Sequence, residues 1–133
     1  MPDFSFTRQE RLKSRTLLSR LFKEGHSFVA YPIRVAWLEL PASETFAPVQ
    51  VVVSAPKRHF KTAVARNLLK RRIREAYRLH KHELYEKLAG RRVALMLMYL
   101  GKEELPFAEI EAGVLKMIRK WPEQSAEKQN EPS

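Results

Sequence analysis

The stretch Lys57–His82, KRHFKTAVARNLLKRRIREAYRLHKH, constrains the rest of the chain. It carries ten Lys or Arg side chains and one acid, Glu75, for a net charge of +9, against +10 for all 133 residues. Like charges four apart on a helix cost about 0.2–0.5 kcal/mol per pair. Such a ridge therefore faces outward and calls for a polyanionic partner. The same stretch carries Leu, Ile and Ala at helical spacing, so its other side calls for burial. A fold that meets both demands sets an apolar sheet against one face of the helix and leaves the other open.

Nucleic acid, an acidic membrane surface and an acidic protein are the partner classes open to a basic chain. A membrane-surface helix is Lys-rich with Trp, Phe and Leu opposite. Here Arg leads, and the apolar residues are needed for an internal core, so nucleic acid is the favoured class. A length of 133 residues and 44% apolar composition suit one domain with a real core. The absence of cysteine excludes disulfide stapling and thiolate chemistry and fits a reducing cytosol. His26, His59, His80 and His82 form neither HExxH nor a zinc-finger spacing. No apolar run reaches the ~20 residues needed to span a bilayer, and MPDFSFTRQER lacks an apolar signal core. The expectation is a cytoplasmic protein with no membrane partner and no obligate protein partner.

Read in order, Thr7–Lys23 is a first helix, with Thr7 and Glu10 in capping-box form and Gly25 as its stop. Phe4 and Phe6 precede it and pack back on the domain or staple its start. From Phe28 the period becomes two. Ile33, Val35 and Trp37 alternate with Arg34 and Ala36 in a strand with one wetter face, with room for a short strand around Phe28–Tyr31. PASETFAP is a connection. The β-branched run Val49–Val53 reads as a central strand. Ala63–His82 is the longest helix, continued in broken form to Leu88, and Gly90 ends it. Arg91–Tyr99 is apolar on both faces, hence central, and either covered on both sides or bound to something on one. The last helix spans Pro106–Trp121. Gly113 inside it costs up to ~1 kcal/mol against alanine, with close packing as one reason. Pro122 stops the helix, and Glu123–Ser133 reads as a disordered tail.

This order predicts one α/β domain over residues 1–121 and a disordered tail over 122–133. The domain is a small two-layer α-β sandwich with an about four-stranded mixed sheet, packed by an N-terminal helix, the long basic helix and a C-terminal helix. On the basic helix, Arg66, Lys70, Arg74 and Arg78 fall at steps of four, with Asn67 and Arg71 beside them and Lys81 extending the stripe. Leu69, Ile73, Ala76 and His80 take the apolar face. Arginine's planar fork suits phosphate oxygens. Asn67 bonds locally or touches sugar and base edges. No helix precedes this one to make a helix-turn-helix, and no GxxG loop or sheet-surface aromatic pair is evident, so RNA is slightly favoured over DNA.

The residues then carry a resemblance. Ser54, Lys57, Arg58, Phe60, Ala63 and Val64, Arg66-Asn67, and the run Lys70-Arg71-Arg72-Ile73-Arg74-Glu75 closely resemble the signature of the bacterial ribonuclease P protein subunit. Phe6, Arg11, Leu12, Phe22 and Gly25 resemble that family's opening, and the likeness covers residues 4 to 121. The family's basic motif reads Arg-Asn-Arg; here Leu68 replaces its last arginine at the edge of the apolar face, and Arg71 and Arg72 are candidates to compensate. The resemblance implies an RNA-based endonuclease that removes the 5′ leader of precursor tRNA. The catalytic RNA subunit holds the active site and most of the Mg2+, and the protein is an accessory that supplies no catalytic residue and no metal ligand. It also implies a left-handed βαβ crossover, against the usual preference.

By that likeness Lys57, Arg58, Lys61, Arg66, Asn67, Lys70, Arg71 and Arg74 face the catalytic RNA; His59 in the preceding loop and Arg78 further along the ridge complete the expected RNA-binding set. A cleft between the first helix and the sheet holds the single-stranded leader. Phe22 matches an aromatic of that cleft, Leu18 stands where the family often has another, and Tyr31 or Trp37 supplies aromatic surface from the strand side. Stacking one base contributes ~1–3 kcal/mol. Phe22 and Trp37 equally suit a core. Scattered acids and divergent histidines give no converging set for hydrolysis. The rival readings are a structural RNA-binding protein, such as a ribosomal one, and a stand-alone nuclease.

Overall fold

The structure, a computed structural model, describes residue 12 and residues 15–41 and 48–130, with side chains through 121. Seven elements follow in order: α1 (Arg15–Glu24), β1 (His26–Ala30), β2 (Ile33–Leu40), β3 (Val49–Ser54), α2 (Ala63–Leu88), β4 (Arg92–Tyr99) and α3 (Phe107–Asn130). The sheet order is β1-β2-β4-β3. β1 and β4 run antiparallel to β2, and β3 runs parallel to β4. The expected α/β class, with three helices and a four-stranded mixed sheet, is what forms.

Alternation places the two faces. Ile33, Val35 and Trp37, with Val49, Val51, Val53, Val93, Leu95, Leu97 and Tyr99, join the apolar faces of α2 and α3 in the main core. The opposite parity, Ala36, Leu38, Leu40, Ala94, Met96 and Met98, meets Leu17, Leu18 and Leu21 of α1. Thus α2 and α3 cover one face of the sheet and α1 covers part of the other. β4 needs its two apolar faces because it lies between β2 and β3 with helices on both sides.

Three boundaries differ from the sequence reading. Val49–Val53 is not central: β3 is an edge strand among the described residues. Its β-branched run reports burial rather than position, since Val49, Val51 and Val53 are buried in the main core and the backbone N–H of Leu12 donates to the Val51 carbonyl at 2.9 Å. The first helix begins at Arg15; the capping pair Thr7 and Glu10, with Phe4 and Phe6, lies outside the described residues, as does most of the PASETFAP connection. The third correction is the helix end at Pro122, because α3 continues to Asn130. Proline's fixed φ is helical, and it removes one backbone donor. The residues that follow, Glu-Gln-Ser-Ala-Glu-Lys-Gln, are mostly good helix formers.

The ends of the other helices are as their chemistry requires. Gly25 donates its N–H to the Leu21 carbonyl at 3.0 Å where α1 stops. A Cβ at Gly25 would lie 2.9 Å from the Trp37 carbonyl oxygen, so only glycine lets the chain turn directly into β1 there. Thr62 caps α2, its hydroxyl accepting from the Ala65 N–H at 3.2 Å. Ala89, at φ 51°, ends α2 in the left-handed conformation, donating to Tyr85 and Glu86 carbonyls. Among the described residues, no helix is long and apolar enough to cross a membrane.

Candidate nucleic-acid interface

The site grows out of α2, whose buried stripe is Leu69, Ile73, Tyr77, Lys81, Leu84 and Leu88, with Ala76 beside it. Steps such as Ile73 to Leu84 and Tyr77 to Leu88 are eleven residues, or 3.67 per turn, so the stripe drifts around a helix with 3.6 residues per turn. That drift corrects one expectation. Lys81 falls on the basic arc of an ideal wheel, yet it is 3% exposed and engaged within the domain. The ridge is confined to the first four turns of α2 and the loop before it.

Within the ridge the expected residues divide by what already holds them. Arg66 donates from Nη1 to the Phe60 carbonyl at 2.7 Å, tying the start of α2 to the preceding loop. Arg78 closes a fork on Glu75, with Nε to Oε1 at 2.9 Å and Nη2 to Oε2 at 2.8 Å. The hydrogen bonds from Arg78 hold the Glu75 carboxyl below the usual carboxylate range. Arg72, expected as a stand-in for the arginine missing at position 68, turns away. Its Nη1 donates to the Leu105 carbonyl at 2.7 Å and lies 3.7 Å from Glu104. Leu68 itself is half-buried.

The remaining cations have no such partners. Lys57, Arg58, Lys61, Arg71 and Arg74 are exposed and Lys70 is half-buried; none makes a hydrogen bond or ion pair with a described residue. Asn67 is exposed between Arg66 and Arg71, likewise without a local bond. His59 is exposed and meets the buried Phe60 edge-on, with ring centroids 6.5 Å apart. Phe60 in turn packs on Tyr99, 5.6 Å between centroids. Basic loop and helix start are thereby seated on the core.

A second feature lies across the sheet. Where α1 ends it leaves part of its sheet face uncovered, and a cleft of about 320 Å³ opens there, lined by Leu21, Phe22, Gly25, His26, Ser27, Arg34, Ala36, Met96 and Met98. Phe22 is 65% exposed, which removes the core reading for that side chain. The other three residues expected in this cleft are elsewhere. Leu18 is half-buried beneath α1, in the smaller core. Trp37 is a correction: it has the parity of Ile33 and Val35, lies on the α2/α3 side, and packs on Trp121 with centroids 5.1 Å apart. Tyr31, 58% exposed on the β1–β2 turn, lines a separate depression with Leu100, Lys102, Glu103 and Leu105. Arg34, Ser27, Met96 and Met98 were missed. The signal for Arg34 was present as the single cation on the wetter face of the β2 alternation. Met96 and Met98 lie on the second face of β4, for which the apolar pattern leaves both a covering layer and a bound partner open.

A model of the Ribonuclease P family matches residues 6–121 of this chain. The chain belongs to the ribonuclease P protein family. Among curated relatives, a ribonuclease P protein component from Porphyromonas gingivalis strain W83 is 38% identical over 119 residues, covering 88% of this chain and 86% of its own. One from Chlorobium phaeobacteroides is 28% identical over 116 residues, covering 80% of each. The solved RNase P protein of Staphylococcus aureus superposes with a TM-score of 0.67 at 21% identity, over 83% of this chain and 93% of that one, and so shares the fold. Among the described residues, the ridge on α2 and the cleft beside α1 are two surfaces that folding does not account for.

Proposed function

We propose that this chain is the protein subunit of ribonuclease P, binding the catalytic RNA through the α2 ridge and the 5′ leader of precursor tRNA through the cleft at Phe22. The observation that carries the reading is the set Lys57, Arg58, Lys61, Lys70, Arg71 and Arg74, six cations with no acid partner among the described residues. Charges held so close without relief favour a bound polyanion, and their neutralisation on binding releases counterions. Family membership supports an RNA as that polyanion. Nearby acids have structural duties: Glu75 is tied to Arg78, and Glu111 Oε2 lies 2.8 Å from His80 Nε2 between α3 and α2. This supports leaving hydrolysis, and the Mg2+ it uses, to the RNA. The protein's part is then to screen phosphate repulsion, stabilise the active RNA fold at low Mg2+, and grip the leader.

The test is reconstitution. Precursor tRNA is incubated with protein alone, catalytic RNA alone, and both, at a few millimolar Mg2+. Cleavage that rises only in the combined reaction supports the subunit reading. Cleavage by protein alone makes the chain a nuclease in its own right, and no enhancement leaves a structural RNA-binding protein.

A further inference from the structure

Arg34 and Met98, both lining the cleft, belong to a row that crosses the sheet. Val29 of β1 pairs with Arg34 of β2, Arg34 pairs with Met98 of β4, and Met98 pairs with Ser54 of β3. Paired residues point to the same face, so Arg34 stands between Val29 and Met98, with Ser27 and Met96 diagonal to it and Ala36 two residues along its own strand. No acid occupies any of those positions. Arg34 is exposed and makes no hydrogen bond or ion pair with a described residue. The nearest acid of α1, Glu24, faces Arg20 at 4.0 Å. Cross-strand neighbours of a sheet arginine commonly supply an opposite charge or a hydrogen bond; here they supply a valine and a thioether. Beside it Val29 is 49% exposed and Phe22 65% exposed, so among the described residues the half-face beyond α1 is open and apolar around the Arg34 cation. At its other end the row runs out at Ser54, three residues before Lys57, where the basic loop begins.

We propose that Arg34 is a phosphate contact for a single strand lying on this half-face. The inference rests on the reading of the cleft as the leader site and names the group within it that holds the backbone. Phe22 offers the stacking surface for one base, Met96 and Met98 a polarizable floor, and the Arg34 guanidinium takes the phosphate next to that base. A cleft of about 320 Å³ is small, near the lower end of ligand pockets, and suits one nucleotide at a time. Arginine on the backbone with aromatic stacking on the base makes the grip tolerant of leader sequence and sensitive to salt.

The experiment uses the holoenzyme reassembled with catalytic RNA. Binding of leader-bearing precursor and of leaderless tRNA is measured across a salt series for the parent protein, Arg34→Gln, Arg34→Lys and Phe22→Ala. Arg34→Gln is expected to weaken precursor binding about tenfold and to lower its salt slope by about 0.7, the share of one single-strand phosphate. Leaderless tRNA is unaffected, and Arg34→Lys keeps the slope. An unchanged precursor slope in Arg34→Gln, or an equal loss on leaderless tRNA, overturns the proposal. If Phe22→Ala in that case weakens binding of precursor more than of leaderless tRNA, the cleft stands as the leader site and only Arg34 falls. If Phe22→Ala weakens both equally, or neither, the cleft reading itself is wrong.

Discussion

Gly113 shows how a single residue can be read two ways. Helix propensity says that alanine there would gain up to ~1 kcal/mol. The structure says otherwise: a Cβ at Gly113 would lie 2.6 Å from Pro32 Cδ and 3.1 Å from the Tyr31 carbonyl oxygen, because α3 crosses the β1–β2 turn at that point. Overpacking of backbone outweighs propensity, and Gly113→Ala is expected to destabilise the domain by about 1–3 kcal/mol in denaturant unfolding; a stabilised variant would show that the turn yields freely. Tyr99 is a second such residue. Its hydroxyl donates to the Glu103 carbonyl and accepts the Leu105 N–H at 3.0 Å, so it holds the loop whose Leu105 carbonyl receives Arg72. Burial raises the Tyr99 pKa above its usual value. The unfolded chain therefore releases this proton at lower pH than the folded one, and the stabilisation is complete below about pH 10 and lost as pH rises through the raised value. Tyr99→Phe should cost about 1–3 kcal/mol at neutral pH. Its unfolding midpoint should approach that of the parent above pH 10, whereas parallel curves in that window would dismiss the titration.

At the scale of elements, α2 was the most legible part of the chain, because a helix with charge on one face and Leu, Ile and Ala on the other declares both faces at once. Its detail was less legible. Arg78 belongs to the ridge by spacing, but its charge is offset by Glu75, three residues before it. Arg66 belongs by spacing and serves the Phe60 carbonyl. On the proposed reading, the cations left to meet phosphate on α2 are accordingly Lys70, Arg71 and Arg74. Replacing these three with Gln is expected to lower the salt slope for assembly with the catalytic RNA by about 2–3 units, nearly one per duplex phosphate. Arg78→Gln should change it by much less. A slope equally reduced by Arg78→Gln would mean that the Glu75 fork opens on binding. The strands were legible as strands and not as positions: β-branched residues crowd any buried strand, and β3 is buried at the sheet edge by α2 on one face and the Leu12 backbone along its side.

The described residues of the molecule form two unequal cores. The larger, between the sheet and α2 with α3, holds Tyr77, Trp121 and most of the fully buried aliphatic side chains. The smaller, under α1, contains Leu21, Leu40, Ala94 and Met96 with Leu12. Buried apolar area sets local stability. Amides of α1 are therefore expected to exchange with solvent at a lower opening free energy than those of β4, read by native-state hydrogen exchange; equal values would make the domain one cooperative unit. This puts the Phe22 cleft, proposed for the leader, beside the less stable layer, and the α2 ridge, proposed for the catalytic RNA, on the more stable one. The amino-acid sequence alone determined the elements, the two faces of α2, the apolar parity of the strands and the motif that marks the family, because each is a local periodicity or a contiguous run. Only the tertiary structure decided that Trp37 faces α3 while Phe22 stays open, that Lys81 is drawn inside, that Arg72 and Arg78 are occupied, and that Arg34 stands on the floor of the cleft. Those outcomes depend on which sheet face each helix covers and on partners brought together from across the chain. Arg72 and Leu105 lie 33 residues apart, and local spacing carries no information at that range.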